Sequence, residues 1–191
     1  MHSGLALRET ALSAELGVSR NTLREALRQL VAEGLAVQQQ HKGVVVETIS
    51  TSDVEDIYRV REVIELRAVE YSGEASEPAM RELTRAIERA EMTSSEQRWG
   101  QVSTASLEFH AAIAGLLESP LIENFFATVI ARLRLAFGAA SEHQDFQIGW
   151  IERDRRIHDL IAAGARESAA LALRGYLADS RTMLLGSTAP R

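Results

Sequence analysis

The sequence predicts a mostly α-helical protein: a small N-terminal winged helix-turn-helix followed by an antiparallel six-helix bundle. Three observations carry that prediction. Residues 10–34 hold two short helical patterns separated by a glycine turn. Residues 35–48 change to the period of a β-hairpin. From Ser52 to about residue 187 only helical periodicity is found, in six segments. The expected domains are therefore 1–49, the winged unit, and 52–187, the bundle.

Each element has its own signal. Over Thr10–Leu16, Ala11, Leu12 and Leu16 recur at helical spacing, and Gly17 suits a left-handed C-cap. Ser19 is a good N-cap for a second helix over about 20–33. Leu23, Ala26, Leu27, Leu30 and Val31 share one of its faces, and Gly34 stops it. Leu35–Gln40 and Val44–Thr48 read as two strands joined by a turn at His41-Lys42-Gly43. Ser52-Asp-Val-Glu55 reads as a capping box opening the bundle. Six helices follow, over about 53–72, 77–93, 97–117, 120–140, 149–163 and 166–186. The first carries an Ile57, Val60, Ile64 and Ala68 stripe. Pro78 stands in the first turn of the second, Ser119-Pro120 ends the third, and Gly164 closes the fifth. A polar loop is expected around Glu142–Gln147.

Composition narrows the function classes. The chain has 191 residues, 46% hydrophobic and 25% charged, so it can bury a core. It contains no cysteine, which removes disulfides, thiol catalysis and the usual structural zinc sites. No apolar run is long enough to span a bilayer and the N-terminus lacks a signal-peptide pattern, so a soluble, cytoplasmic protein is expected. The net charge of -6 argues against bulk nucleic-acid binding. The first fifty residues, however, balance Arg8, Arg20, Arg24, Arg28 and Lys42 against Glu9, Glu15, Glu25, Glu33 and Glu47. Any nucleic-acid contact belongs there.

The start of the second helix reads Ser19, Arg20, Asn21, Thr22 and Arg24. Arg can pair bidentately with guanine and Asn with adenine, while hydroxyls and a helix N-terminus suit phosphate. His41, Lys42 and Gly43 form a small basic hairpin tip. Taken alone, the helix pair fits an ordinary exposed helix start equally well; helix pair, hairpin and local neutrality together favour DNA.

Residues 16–35, Leu-Gly-Val-Ser-Arg-Asn-Thr-Leu-Arg-Glu-Ala-Leu-Arg-Gln-Leu-Val-Ala-Glu-Gly-Leu, resemble the signature of the GntR superfamily of bacterial transcription regulators. The helical remainder resembles the FCD ligand-sensing domain of its FadR-type branch. The resemblance implies that Arg20 and Arg24 contact operator DNA, with Ser19, Asn21 and Thr22 beside them, and that a homodimer binds an inverted repeat. In that family a helix and a short turn precede the point where this chain starts, and residues 3–9 look like the tail of that turn. The expectation is a winged domain lacking that first helix as written, with part of its apolar side exposed.

In the bundle, five polar side chains sit on apolar stripes: Arg61, Ser106, His110, Asp154 and Tyr176. Burying an unpaired charge is expensive, so they pair with one another or line a cavity. The bland readings are a hydrogen-bonded core His110, an ordinary surface pair between Arg61 and Glu65, a core Tyr176, and His158 paired with Asp154. Arg132, Arg134, Arg155 and Arg156 read mostly as solvated faces. The family resemblance implies a divalent-metal position built from one Asp and three His. The matching places here are Ser106, His110, Asp154 and Tyr176, so only His110 is kept as it stands. Asp154 remains able to ligate, but Ser and neutral Tyr are poor ligands, so no tightly bound metal is expected. A register with His158 as ligand is the alternative. Arg61 matches an Arg that the family uses for the effector's carboxylate, which a guanidinium fork suits.

The expected function is thus a ligand-responsive repressor binding operator DNA as a dimer and sensing a small carboxylate. Two rivals stand beside it. One is a small helical enzyme acting on the bound acid, although no nucleophile motif or phosphate loop is found. The other is a degenerate regulator with poor DNA binding.

Overall fold

The computed structural model describes residues 4–137 and 144–188. These hold eight helices and one two-stranded antiparallel sheet. The chain divides into two compact units, Met1–Ile49 and Ser50–Arg191.

In the first unit, α1 spans Glu9–Leu16 and ends on Gly17, whose φ of 64° is the left-handed conformation the cap requires. α2 spans Arg20–Ala32. The Ser19 side chain accepts from the Thr22 backbone N–H at 3.1 Å and so caps it. β1 (Ala36–Gln39) pairs with β2 (Gly43–Val46), with Ala36 opposite Val46 and Gln39 opposite Gly43. Residues 4–7, read from sequence only as the end of a turn, lie antiparallel along β2. Gly4 and Leu7 donate to the Val46 and Val44 carbonyls, and Val46 donates to Leu5. Leu7, Leu23, Leu27, Ala36, Val45, Val46 and Ile49 form the core. Leu5, Leu16 and Val18 are exposed.

The second unit is an all-helical bundle: α3 (Thr51–Tyr71), α4 (Glu77–Ser95), α5 (Trp99–Gly115), α6 (Pro120–Phe137), α7 (Gln144–Ala162) and α8 (Arg166–Thr188). α5 packs against α3, α4, α6 and α7 and is its central element. Phe109, Ile113, Leu83, Ile87, Leu133, Ile157, Leu173 and Leu177 fill the core with almost no exposure.

Three details correct the sequence reading. The capping box of α3 is Ser50 with Asp53, not Ser52 with Glu55. Both pairs have the same spacing; Ser52 instead sits within the first turn, with its hydroxyl on Ser50. α7 begins at Gln144, so the expected loop is helical from there, and its first part (142–143) lies outside the described residues. Finally, the buried stripe of α3 runs through Val54, Ile57, Tyr58, Arg61, Glu65, Ala68 and Val69, while Val60 and Ile64 are only half-buried. The helix is turned so that Glu65 faces inward. No helix of the described residues is long and apolar enough to cross a membrane.

Candidate functional site

Two groups of residues stand out, one in each unit. In the first unit, α2 buries Leu23 and Leu27 and exposes Arg20, Asn21, Thr22, Arg24 and Arg28. Ser19 and Thr22 hydroxyls lie 2.8 Å apart at its start. Arg24 Nε donates to Glu9 Oε2 at 2.8 Å, an exposed pair that aims the guanidinium without hiding it. Arg28 pairs with Glu25. Between α2 and the hairpin runs an open groove of about 370 Å³, bordered by Arg24, Arg28, Gln38 and Val44. At the hairpin tip His41 and Gly43 both take positive φ, 66° and 76°, and Lys42 is exposed between them. The tip exposes one cation and one imidazole.

In the second unit, Arg61, Ser106, His110, Asp154 and Tyr176 all lie in the interior, and the structure brings them together. They do not act alone. Glu65 links them: Arg61 Nε donates to its Oε1 at 2.7 Å, and its Oε2 lies 2.6 Å from His110 Nδ1. On the other side of the ring, His110 Nε2 and Asp154 Oδ1 stand 3.4 Å apart, close enough to attract but without an aligned hydrogen bond. Ser106 donates to Asp154 Oδ2 at 2.5 Å, and its hydroxyl lies 3.3 Å from the Tyr176 hydroxyl. The Tyr176 ring packs on the His110 imidazole, 4.6 Å between centres. Tyr58 lies under the Arg61 guanidinium at 5.1 Å and shares a 2.5 Å hydrogen bond with Ser180.

The electrostatics follow from this chain of contacts. Burial alone would push the His110 imidazole down. The Glu65 charge and the Asp154 carboxyl outweigh burial and the opposing Arg61, so His110 is raised above its ordinary value. Burial alone would raise Glu65, but Arg61 and His110 reverse this and hold it low. The contact therefore favours an imidazolium against a carboxylate. Burial, with Asp154 nearby, pushes the Tyr176 phenol well above its usual range, so it stays neutral.

Beside this chain lies a small cavity, lined among others by Arg61, Ser106, Tyr176, Trp150, Ile151 and Phe137. Its free volume of about 30 Å³ has room for about two waters. Arg61 Nη2 has no hydrogen-bond partner although the residue is only 1% exposed.

Comparison with known proteins fixes the family. The FCD domain model matches residues 56–179, and the model for bacterial regulatory proteins of the gntR family matches residues 1–46. The chain belongs to the GntR family. It is 30% identical over 160 residues to the gluconate operon transcriptional repressor of Bacillus licheniformis, covering 77% of this chain and 63% of that one. It is 27% identical over 133 residues to the Nta operon transcriptional regulator of Aminobacter aminovorans, covering 70% of this chain and 63% of that one. The chain thus spans about three-fifths of the length of these relatives. Among solved structures, a protein described as a GntR transcriptional regulator from Rhodococcus sp. RHA1 is 30% identical with a TM-score of 0.89, covering 100% of this chain and 90% of that one. McbR/YncC of E. coli shares the fold at 19% identity and a TM-score of 0.82, covering 99% of this chain and 91% of that one.

The metal position implied by GntR regulators with this domain can be tested on the donors present. His110 Nε2 and Asp154 Oδ1 are the two unpaired donors that face each other. The other two places offer a Ser106 hydroxyl already spent on Asp154 and a phenol held neutral. One imidazole and one carboxylate do not make a tight divalent site, and no group of three or more His, Asp or Glu suited to a metal exists among the described residues. The donor set does not fit the metal.

The alternative register is corrected by geometry. His158 does not join the cluster or pair with Asp154; its Nε2 meets Thr84 Oγ1 at 3.0 Å and its Nδ1 meets Asp159 at 2.9 Å. The Arg61–Glu65 pair forms, but in the core rather than on the surface. Arg132 and Arg155 are also engaged, with Asp53 and Glu91. Sequence reasoning missed Glu65 as a member of the site. Its signal was present: it lies four residues after Arg61 and three before Ala68, on the same stripe.

Proposed function

We propose that this chain is a one-component DNA-binding transcription regulator, a repressor that binds an inverted-repeat operator as a homodimer and responds to a small organic acid. The observation that carries the DNA reading is the split face of α2: Leu23 and Leu27 inward, Arg20, Asn21, Arg24 and Arg28 outward, with Arg24 and Arg28 on the groove shared with Gln38 and Val44 of the hairpin. Arg20, Asn21 and Arg24 read base edges, while Ser19, Thr22 and the tip at His41, Lys42 and Gly43 meet phosphates. The two gluconate-operon and Nta-operon relatives are named as a repressor and a regulator, which supports the same reading. Family membership favours a regulator over the enzyme rival.

In the helical unit, the effector site consists of Arg61, Ser106 and Tyr176 at the cavity wall with His110 and Asp154 behind them. What supports this division of labour is that Arg61 lines the cavity with its Nη2 unpaired, whereas Ser106 is joined to Asp154 and Tyr176 and His110 is held by Glu65. The acid shifts operator affinity by its differential affinity for two arrangements of the dimer. Selection of sheared genomic DNA by the purified protein tests the DNA reading. Enrichment of a short inverted repeat, weaker at moderate than at low salt, is expected. Absence of enrichment at both salts overturns it and leaves the degenerate regulator.

A further inference from the structure

We propose that the cavity beside Arg61 selects a monocarboxylic acid with an apolar body, and rejects dicarboxylates and polyhydroxylated acids. This rests on the acid-sensing reading above. Three observations point to it. First, among the described residues of the wall only one charged donor is available. Arg61 lines the cavity; its Nε is held by Glu65 and its Nη2 has no hydrogen-bond partner, on a side chain that is 1% exposed. The neighbouring cation, Arg153, is already committed: it pairs with Asp179 at 2.9 Å and lies over the Trp150 and Tyr176 rings. A second carboxylate would meet no further free cation among the described residues of the wall.

Second, the hydroxyls around the cavity are largely spent. The Ser106 proton goes to Asp154, the Tyr176 hydroxyl lies 3.3 Å from Ser106, and Ser180 shares a hydrogen bond with Tyr58, which leaves Ser103 as the remaining hydroxyl among the described residues of the wall. A ligand rich in hydroxyls would exchange water for few partners, and an unpaired buried hydroxyl opposes binding. Third, the rest of the wall is mostly carbon, from Val102, Leu107, Phe137, Trp150 and Ile151. These side chains suit an aromatic or branched aliphatic body. The free space of about 30 Å³ is too small for such a body as it stands, so a half-buried ring at the wall, Trp150 or Phe137, must turn to admit it. Binding therefore reports on Trp150 directly.

The test uses the full chain with Trp99→Phe, which leaves Trp150 as the one tryptophan of the two in the sequence. Phenylacetate, gluconate and succinate are titrated against Trp150 fluorescence, with calorimetry for affinity. Phenylacetate is expected to change the Trp150 signal and to bind at least about tenfold more tightly than either other acid. Val102→Thr, which keeps the shape and adds a hydroxyl to the wall, is expected to narrow that preference. Arg61→Lys, which keeps a cation for Glu65 but removes the fork, is expected to abolish binding. Tighter gluconate or succinate binding would overturn the apolar-body inference while leaving an acid sensor intact. No response to any of the three acids overturns it too. The sensing reading itself falls if a broad set of carboxylic acids also leaves the melting temperature unchanged.

Discussion

Glu65→Ala is expected to destabilise the helical unit by about 3–5 kcal/mol, the usual cost of removing one partner from a buried ion pair. The change strands two cations at once: Arg61, paired through Nε, and His110, paired through Nδ1, both fully buried. His110 has a second carboxyl within 3.4 Å, but Asp154 is already engaged by Ser106. Glu65→Gln retains the shape and loses the charge, so it should fall between wild type and alanine. The pH dependence carries a sign. His110 is raised above 6.5, so its contribution is complete below 6.5 and is lost as pH climbs through the raised value. Glu65 is lowered below 4.5, so its contribution is complete above 4.5 and is lost as pH falls through the lowered value. Both are whole between about pH 4.5 and 6.5. Urea unfolding of wild type and Glu65→Gln at pH 5.5 and pH 9 measures this. The stability gap should be wider at pH 5.5; equal gaps would contradict an imidazolium–carboxylate pair.

The second large effect concerns DNA. Replacing Arg20 and Arg24 together by alanine should weaken operator binding by roughly 100-fold or more, since each base contact of this kind contributes about 1–3 kcal/mol. Both side chains are exposed and α2 is anchored by Leu23 and Leu27, so the circular dichroism and the melting temperature should stay close to wild type. Lys42→Ala at the hairpin tip should instead weaken binding evenly across sequences and lower the salt slope by about one. Fluorescence anisotropy on the selected operator at several salt concentrations separates the two cases. A double variant that binds like wild type would remove α2 as the recognition element.

Much of the architecture is legible in the sequence because local chemistry and burial agree there. Ser19, Gly17 and the Gly43 turn are read correctly, each fixing a cap or a positive φ that few other residues accept. Where two signals coincide, spacing cannot choose between them. Ser50 and Ser52 each stand three residues before an acid, and the fold uses the first. The start of α7 was hidden because Gln144-Asp-Phe-Gln147 is polar enough for a loop yet contains no Gly or Pro to stop a helix. In the bundle, Arg61, His110 and Asp154 are identifiable as polar residues on apolar stripes. Glu65 was not, since an Arg and a Glu four apart look like a surface pair on any helix. Only the rotation of α3, set by Tyr58 and Val69 packing inward rather than Val60 and Ile64, turns that pair into the core. His158 shows the converse: its place one turn after Asp154 suggested a shared site, but its ring faces Thr84 and Asp159.

The most direct test of an acid-responsive regulator is operator affinity measured with and without saturating acid, using an acid shown by Trp150 fluorescence to occupy the cavity. Coupling of the usual size predicts a change in Kd of about 5-fold or more, with weaker operator binding in the presence of acid. An unchanged Kd, with the acid demonstrably bound, would contradict the link between the helical unit and DNA.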